Sequence, residues 1–579
     1  SRTLTDPGKS AVVHIGIAKM QHDNSELNYQ VSVGALGEAL HAAGLKTAVV
    51  GNSDDSDVHR EAATICMDGK GLVDFNKGFA DFTVIEFGET ARLDRKQLDL
   101  MDKVYQRERA RALKEADRVL GRLLRSMDKQ TILMILSPYP SSYALEKTEN
   151  GLCPVIISGP GFGHGLLTSG STRIAGVIAN TDIAPSVLSM LKVPVPKSLV
   201  GRPIMTAPHD SPVDELLRIS RRASVQALSL PVLRQVMTAL IVLVGIVTAL
   251  WLMLPIPQRK RLWPLIILPS TVAPACLLMA LWPSGNHFIV WLRLIVFTTG
   301  ITGGAALIAR RPSNALMLLS VMFVGLAAAD TLTGSTLGRN SIMGYSIVEG
   351  ARYYGMGNEF MGAFLGASLV GLGLMFGALR TSGRAIRVTL AVGLIVGMVI
   401  VGSPMLGANV GGAMAMASAF GITLAASYKF RLRRLLGVVL AAGVLIAAFA
   451  VLDSLRGQEY ESHLGRAVRL AGSGGLEQMG MLVKRKLLMN LFLIRVSVWS
   501  RVLAAYGISL AVILYPDWSR ISPLPTHVRI ALTGLIAGTL AALAFNDSGI
   551  VAAATCFVYG WSLLLLTVLE AGKGKEQAG

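Results

Sequence analysis

The sequence predicts a water-soluble α/β domain followed by an all-α bundle of about eleven transmembrane helices. Composition gives the first indication, because the 579-residue chain is 52% hydrophobic and only 16% charged, with a mean hydropathy of +0.52. Such a chain is too apolar for a soluble enzyme. The distribution of apolar residues along the chain gives the second indication. Residues 1–229 mix apolar and charged residues, whereas residues 230–579 form a series of apolar runs. The domain boundary is therefore expected between 229 and 230.

The second part contains apolar runs that are each near the length needed to cross a hydrocarbon core of ~30 Å. The predicted spans are 230–254, 262–282, 288–309, 313–329, 358–379, 386–402, 409–427, 435–452, 496–515, 528–545 and 550–569.

Basic residues predict the orientation of these spans, because cytoplasmic connections are enriched in Lys and Arg. The connections after the odd-numbered spans and the tail contain Arg259, Lys260, Arg261, Arg310, Arg311, Arg380, Arg384, Arg387, Lys429, Arg431, Arg433, Arg434, Arg520, Arg529, Lys573 and Lys575. A multi-pass cell-membrane protein with an extracytoplasmic N-terminal domain is expected, with an export signal or anchor upstream of SRTLTDPGKS. Much of the formal charge of +18 then faces anionic lipid, so it does not indicate nucleic acid.

One predicted outer connection, residues 453–490, is basic against this rule. Arg466 and Arg469 are spaced to share a helix face, and His463 and Arg485 lie in the same segment. Two interpretations remain open. The segment forms a basic amphipathic helix that binds lipid headgroups, or it binds an anionic substrate such as a phosphate- or pyrophosphate-linked lipid, which arginine suits through its paired donors.

Polar, glycine-rich breaks are predicted on the same outer face: GARYYGMGNEF (350–360), GSPMLGANVGG (402–412) and FNDSG (545–549). Polar groups at membrane depth are costly and usually face a cavity or a partner. The candidate catalytic residues are Glu359, Asp547 and Asn358, and the candidate substrate-binding residues are Arg352, Asn409, Asn546 and Ser548, with His463, Arg466, Arg469 and Arg485 from the basic connection. In the alternative interpretation each break is a turn with a helix cap, and Asn546, Asp547 and Ser548 are suitable N-caps.

The first part alternates short β-rich runs with helical segments, which predicts an α/β domain with a mainly parallel sheet. The predicted strands are 45–52, 81–88, 131–138 and 153–160, with a long helix at about 96–127. Ligands of such sheets bind at the carboxyl ends of the strands, where this chain has GNSDDSD, GETARLD, SPYPSS and GPGFGHG.

The run TDIAPSVLSMLKVPVPKSLVGRPI, together with the order GETARLD, long helix, TILMILSP and PVIISGPGF, resembles the C-terminal part of the alkaline phosphatase superfamily. DIAPSVLSML is similar to the helix start Asp-x-Ala-Pro-Thr of that family. The resemblance covers about residues 30–205. The layout of such a domain before many spans also resembles the ethanolamine phosphate transferases of GPI anchors, an analogy of layout only.

The chain departs from the family pattern where the two metal ions of the family would bind. Arg92 stands where a histidine is expected, SPYPSS replaces the Asp-His-Gly of the family, and no copy of the nucleophile is found. The resemblance therefore implies a metal-free pseudo-phosphatase domain, with no cofactor.

We accordingly expect a cell-envelope protein that handles a lipid-linked anionic substrate at the outer leaflet. Its expected partners are membrane lipids, that substrate and envelope-assembly proteins, with no nucleic acid. The alternatives are a transporter or flippase of such a lipid, and a metal-dependent phosphatase or phosphoethanolamine-type transferase. If the protein is an enzyme, it is a transferase or hydrolase acting on a lipid-linked substrate.

Overall fold

The structure is a computed structural model that describes residues 11–25, 31–148, 150–309, 311–348, 350, 352–380, 383–426, 437, 440, 443–449, 451, 484, 486–521 and 524–576. The chain divides into two compact units, Ser1–Arg221 and Arg222–Gly579. The division falls inside one long helix, close to the predicted boundary.

The first unit is built from short strands and helices. Its strands are β1 (Val12–Val13), β2 (Thr47–Val50), β3 (Leu72–Val73), β4 (Phe82–Ile85), β5 (Leu133–Leu136), β6 (Val155–Ser158), β7 (Gly165–Ser169) and β8 (Ile204–Pro208). Its helices are α1 (Ile17–Ser25), α2 (Ala35–Ala42), α3 (Ala63–Cys66), α4 (Glu89–Arg95), α5 (Asp102–Ser126), α6 (Ser142–Thr148) and α7 (Ile183–Met190). The four predicted strands and the long helix are confirmed.

The prediction of a mainly parallel sheet is wrong for the described strands. Only β2 and β4 pair in parallel, whereas β1–β3, β5–β6 and β7–β8 are antiparallel pairs. A parallel pair needs a connection that crosses from one end of the strands to the other, usually through a helix of a dozen residues. The connection from β5 to β6 contains only the seven-residue α6 and stays at one end of the pair. The chain therefore returns antiparallel.

The helix predicted from DIAPSVLSML is present as α7, and a buried carboxylate fixes its start. The fully buried Asp182 accepts hydrogen bonds from the hydroxyls of Ser169 and Ser171, both at 2.6 Å, and from the backbone N–H groups of Ala179 and Arg202 at 2.9 and 2.8 Å. A buried carboxylate needs such donors. Within the described part of the unit, this aspartate ties two loops to α7.

The second unit is helical. Its elements, in chain order, are α8 (Pro212–Met253), which begins in the first unit, α9 (Ile256–Arg259), α10 (Trp263–Ile267), α11 (Val272–Met279), α12 (His287–Ile308), α13 (Pro312–Leu332), α14 (Thr336–Asn340), α15 (Asn358–Ala378), α16 (Gly383–Gly402), α17 (Val410–Ala426), α18 (Val498–Ile521), α19 (Thr526–Phe545) and α20 (Gly549–Glu576). Residues 486–496 are also helical.

Among the described residues, nine helices are long and apolar enough to cross a membrane, and Val410–Ala425 is a shorter apolar helix. These ten correspond in order to ten of the predicted spans, so the chain is a multi-pass membrane protein. The remaining predicted span, 435–452, lies largely outside the described residues. The segment that contains α9–α11 counts as a single span, Ile256–Met279, and Pro264, Pro269 and Pro274 explain its division because proline interrupts helical hydrogen bonding.

Two helices, α15 and α20, form the centre of the membrane unit. Their apolar windows are 83% and 89% buried, against 28% for α12. Glycines on α15 allow a close approach, since a Cβ at Gly362 would collide with the Ala552 carbonyl and the Thr555 hydroxyl, and one at Gly366 would lie 2.7 Å from the Cys556 carbonyl. Small residues favour tight helix packing in membranes. These glycines therefore fix the position of α15 against α20, and with it the position of Asn358 and Glu359 at the start of α15.

Candidate functional site

Two of the predicted polar breaks, GARYYGMGNEF and GSPMLGANVGG, lie in direct contact. The Met356 N–H donates a hydrogen bond to the Gly407 carbonyl at 2.8 Å, and the Arg352 guanidinium donates to the same oxygen at 3.4 Å. Gly355 has a φ of 77°, and a Cβ there would collide with that carbonyl. Glycine is therefore required at this position, both for its backbone conformation and for the close approach.

Asn409 joins the two breaks through its side chain. Its amide Nδ2 donates to the Asn358 Oδ1 at 2.9 Å and to the Met356 carbonyl at 3.2 Å. Its Oδ1 accepts from the Gly412 N–H at 2.8 Å and so caps the start of α17. Both candidate residues are buried. The two sequence interpretations of this break thus coincide, because one side chain is a helix cap and also a contact with the opposite break.

The third break, FNDSG, packs beside the start of α17, since a Cβ at Gly411 would collide with the Asn546 side chain. A residue from the helical segment 486–496 fixes its conformation. The Asn490 Nδ2 donates to the carbonyls of Leu543 and Asn546 at 3.1 and 2.9 Å, and its Oδ1 accepts from the Gly549 N–H at 2.9 Å. All three predicted breaks therefore meet at one end of the described bundle.

The cap of α20 differs from the prediction. Asn490, not one of the three residues before the helix, supplies the side-chain oxygen for the first N–H of α20. The buried Asn546 donates to its own helix through the Ala542 carbonyl. The Asp547 side chain is 63% exposed, and its carboxylate lies 3.5 Å from the Lys486 ammonium. Ser548 is half-buried. The structure thus brings Asn546 to the assembled breaks and leaves Asp547 on the surface.

Glu359 lies in the first turn of α15 and is 9% exposed. Its carboxylate interacts with the Tyr345 hydroxyl and, through charge, with the Arg352 guanidinium. Its Oε2 atom is shielded from solvent and accepts no well-formed hydrogen bond from any residue that the structure describes. A Cβ at Gly357 would lie 2.7 Å from the Tyr345 ring, so this glycine allows the ring to lie against the start of α15.

The Tyr345 hydroxyl stays protonated near neutral pH. Burial, followed by the negative charge of Glu359, raises the pKa of Tyr345 well above its usual value. A protonated phenol can donate a hydrogen bond to a carboxylate or to a phosphate oxygen.

A buried aspartate positions the short helix α14 between α13 and α15. Asp330 is 7% exposed, and its carboxylate accepts from the N–H groups of Leu337 and Gly338 at 2.7 and 2.8 Å. Gln226 donates to the Arg339 carbonyl at 3.2 Å. The first two bonds use both carboxylate oxygens of Asp330. Together with the Gln226 bond, they fix the backbone of α14, which carries Arg339.

An open cleft lies against this assembly, with about 460 Å³ of space not filled by protein, part of it open to solvent. We call it the arginine cleft. Its polar lining consists chiefly of Asp330, Ser335, Arg339, Tyr345, Arg352 and Tyr353, and its apolar lining includes Leu277, Met343 and Phe360.

Arg339 makes this cleft electrostatically unusual. Its half-buried guanidinium forms no hydrogen bond or ion pair with any described residue. Burial and then the nearby Arg222 guanidinium lower the pKa of Arg339, and the negative charge of Asp330 opposes this only in part. Arg352, with the weak contact to Gly407, is the second cation in the lining. Arg339 interacts with Asp330, and Arg352 with Glu359, through charge at longer range, and neither guanidinium forms an ion pair with a described carboxylate. Their N–H donors are therefore available to an anion.

Four of the candidate binding residues, His463, Arg466, Arg469 and Arg485, lie outside the described residues. The two interpretations of the basic connection therefore stay predictions.

In the first unit, cationic side chains engage the carboxylates at the predicted ligand-binding edge. Arg95 pairs with Asp55 at 2.7 Å, and Arg92 pairs with Glu89 at 2.9 Å. Asp94 instead accepts from the Ser142 N–H at 3.0 Å. Hydrogen bonds from the Asp57 N–H and then from Arg95 hold the pKa of Asp55 below its usual range. No group of three or more His, Cys, Asp or Glu side chains suited to a metal occurs within the described ranges.

The prediction missed Arg339, Tyr345 and Asn490. A signal for Arg339 was present, because Arg339 and Arg352 are the basic residues of the predicted outer connection 330–357, on the side where positive charge is unexpected. No sequence feature next to Tyr345 or Asn490 indicates that these residues belong to the site. Their roles arise from contacts with residues that lie far away in the chain or on another helix.

The chain matches no known family model, no curated protein and no solved structure.

Proposed function

We propose that the membrane unit binds a phosphate- or pyrophosphate-bearing lipid in the arginine cleft, at the outer leaflet, and catalyses transfer or hydrolysis at its phosphate-linked head. The observation that carries this proposal is the Arg339 guanidinium, which is half-buried near Arg222, interacts with Asp330 only through charge, and forms no hydrogen bond or ion pair with a described residue. Burying a charged group without hydrogen-bond partners is costly, and a bound phosphate would supply them.

The chemistry of the lining favours a lipid-linked phosphate over a free anion. The guanidinium groups of Arg339 and Arg352 suit phosphate oxygens, because each presents several N–H donors in one plane. Leu277, Met343 and Phe360 line the same cleft and would contact an acyl or isoprenoid chain. Leu277, Ala327 and Phe360 of the lining lie on helices of membrane-spanning length, which favours a lipid over a soluble ligand.

In this proposal Tyr345 and Glu359 act on the bound head. Tyr345 lines the cleft and also interacts with the Glu359 carboxylate, so it connects the substrate with the buried base. Glu359 accepts the proton of the attacking hydroxyl or water by way of the Tyr345 hydroxyl as the attacking oxygen bonds to phosphorus. The bond from phosphorus to the leaving oxygen breaks, and the proton returns from Glu359 through Tyr345 to that oxygen, while Arg339 and Arg352 stabilise the negative charge on the phosphate oxygens. Asn358 and Asn409 hold the start of α15 in place.

A transporter of the same lipid is the second candidate. The observation that favours it is the non-helical segment between α16 and α17, where Ala408 has a φ of 47° and the backbone packs against the start of α15. Interrupted helices of this kind form substrate sites in transporters.

In either case we propose that the first unit is extracytoplasmic and does not carry the chemistry. The pairing of Asp55 and Glu89 with arginines supports that assignment.

Single substitutions Arg339→Gln and Arg352→Gln are each expected to weaken binding of a short-chain isoprenyl pyrophosphate by about 10- to 100-fold, because each removes charge-assisted hydrogen bonds to phosphate. The measurement is isothermal titration of the full-length protein in detergent. Arg352→Lys should recover only part of the loss, since lysine lacks the paired donors of arginine.

The matched control is Arg384→Gln, which removes an exposed arginine at the other, predicted cytoplasmic, end of α16. Its affinity is expected to equal that of the wild type. The proposal is contradicted when both cleft variants bind the pyrophosphate as tightly as this control does.

A further inference from the structure

The long helix α5 of the first unit carries a stripe of cations that no step of the proposed function uses. The helix is 25 residues long, and Tyr105 is its one buried side chain. Seven basic residues follow each other at intervals of three or four: Lys103, Arg107, Arg111, Lys114, Arg118, Arg122 and Arg125. At 3.6 residues per turn they fall within about 100° of the helix circumference and extend over ~33 Å. We call this set the basic stripe.

The stripe keeps an excess of positive charge after its ion pairs are counted. Glu108 lies within 3.1 Å of Arg107 and 3.7 Å of Arg111. Glu115 likewise serves two arginines of the stripe, Arg118 at 2.8 Å and Arg122 at 3.8 Å. Two carboxylates thus face four guanidinium groups, and the remaining three cations of the stripe form no ion pair within the described part of the chain.

The stripe is accessible. The side chains of Arg107, Arg111, Arg118 and Arg122 are 68–85% exposed. Beside the stripe on the helix surface lie the exposed apolar side chains of Leu113 and Leu124. A helix with a broad cationic face and an adjoining apolar edge is typical of segments that lie on an anionic membrane surface.

We propose that the basic stripe binds the anionic headgroups of the membrane in which the same chain is embedded. A straight row of cations ~33 Å long matches a flat array of phosphates better than it matches a compact ligand. The chain continues from the first unit directly into the membrane helix α8, so the stripe and the membrane-spanning helices belong to one chain. Nucleic acid is a poorer match, because the stripe presents no aromatic side chains on which bases could stack.

The test is hydrogen–deuterium exchange of residues 102–126 in the full-length protein, reconstituted in nanodiscs of phosphatidylcholine alone or of phosphatidylcholine mixed with phosphatidylglycerol. Exchange in the anionic discs is expected to be about tenfold slower, a difference that high salt removes by screening. The combined variant Arg107→Gln, Arg111→Gln, Arg118→Gln and Arg122→Gln should exchange at the same rate in both discs.

The matched control removes the same number of charges from exposed lysines elsewhere in the first unit: Lys70→Gln, Lys77→Gln, Lys129→Gln and Lys197→Gln. It is expected to keep the slow exchange in anionic discs. Equal exchange of the wild type in the two discs overturns the proposal. If the control variant also loses the slow exchange in anionic discs, net charge alone is responsible and the proposal is overturned. If an acidic polypeptide at constant salt abolishes the slow exchange of the wild type, the stripe binds a protein ligand and the proposal is likewise overturned.

Discussion

The Glu359→Gln variant is expected to lose turnover of the bound lipid by a factor of about 10²–10⁴, the usual contribution of a general base, while its lipid affinity stays at the wild-type level. Glutamine keeps the length of the side chain and can still accept a hydrogen bond from Tyr345. It cannot take up a proton, and the carboxylate has an oxygen that accepts no well-formed hydrogen bond from the described residues. The loss is therefore expected in kcat and not in binding.

The measurement compares phosphate or headgroup release with lipid binding in the same proteoliposomes. Tyr345→Phe is expected to lose part of the turnover, because it removes the hydroxyl that joins the cleft to Glu359. Ser368→Ala is the matched control within α15, since among the described residues the buried Ser368 hydroxyl donates only to the Phe364 carbonyl of its own helix. Its turnover should equal that of the wild type.

The same experiment separates the two candidate functions. A lipid that crosses the bilayer without any covalent change, with crossing lost in Glu359→Gln, identifies a transporter. Full turnover in Glu359→Gln contradicts the assignment of Glu359 as the base. If a chelator abolishes turnover of the wild type and the Glu359→Gln variant is fully active, the reaction takes place at a metal site instead.

The Gly362→Val variant is expected to destabilise the membrane unit by about 3 kcal/mol, at the upper end of the usual cost of overpacking. A Cβ at Gly362 would collide with the Ala552 carbonyl and the Thr555 hydroxyl of α20. The carbonyl belongs to a helix backbone and cannot rotate away, so α15 and α20 have to separate. Because α15 begins with Asn358 and Glu359, the separation also displaces these two residues.

The measurement is thermal unfolding of the full-length protein in detergent. The control is Gly325→Val in α13, where a Cβ meets no atom within 4 Å. It carries the same change in helix propensity, so the difference between the two variants isolates the collision. Equal unfolding temperatures for the two variants would show that α15 and α20 are not in close contact.

Much of the membrane unit could be predicted from the sequence because membrane spans are defined by local composition. A run of about 20 apolar residues has few alternatives to a transmembrane helix, and the nine long apolar helices and Val410–Ala425 follow the predicted runs. The expectation that polar breaks gather also holds for Asn358, Asn409 and Arg352, which meet directly or through the Met356–Gly407 contact.

The remainder of the site depends on contacts that local composition does not contain. Asn490 caps a helix that begins 59 residues later, and Tyr345 reaches Glu359 because Gly357 leaves room for its ring. Asp547 lies in the predicted break, but it is exposed and paired with Lys486. In the first unit the strands were recognisable from their β-branched residues, whereas their directions depend on which ends the connections join.

Native mass spectrometry of the full-length protein, released from its own membrane, tests the central claim most directly, because it detects bound lipid and bound metal together. We expect a retained phosphate-bearing lipid in the wild type, and its loss in the Arg339→Gln/Arg352→Gln double variant but not in Arg384→Gln. Equal retention of the lipid by the double variant, or two transition-metal ions per chain with no lipid, would contradict the account.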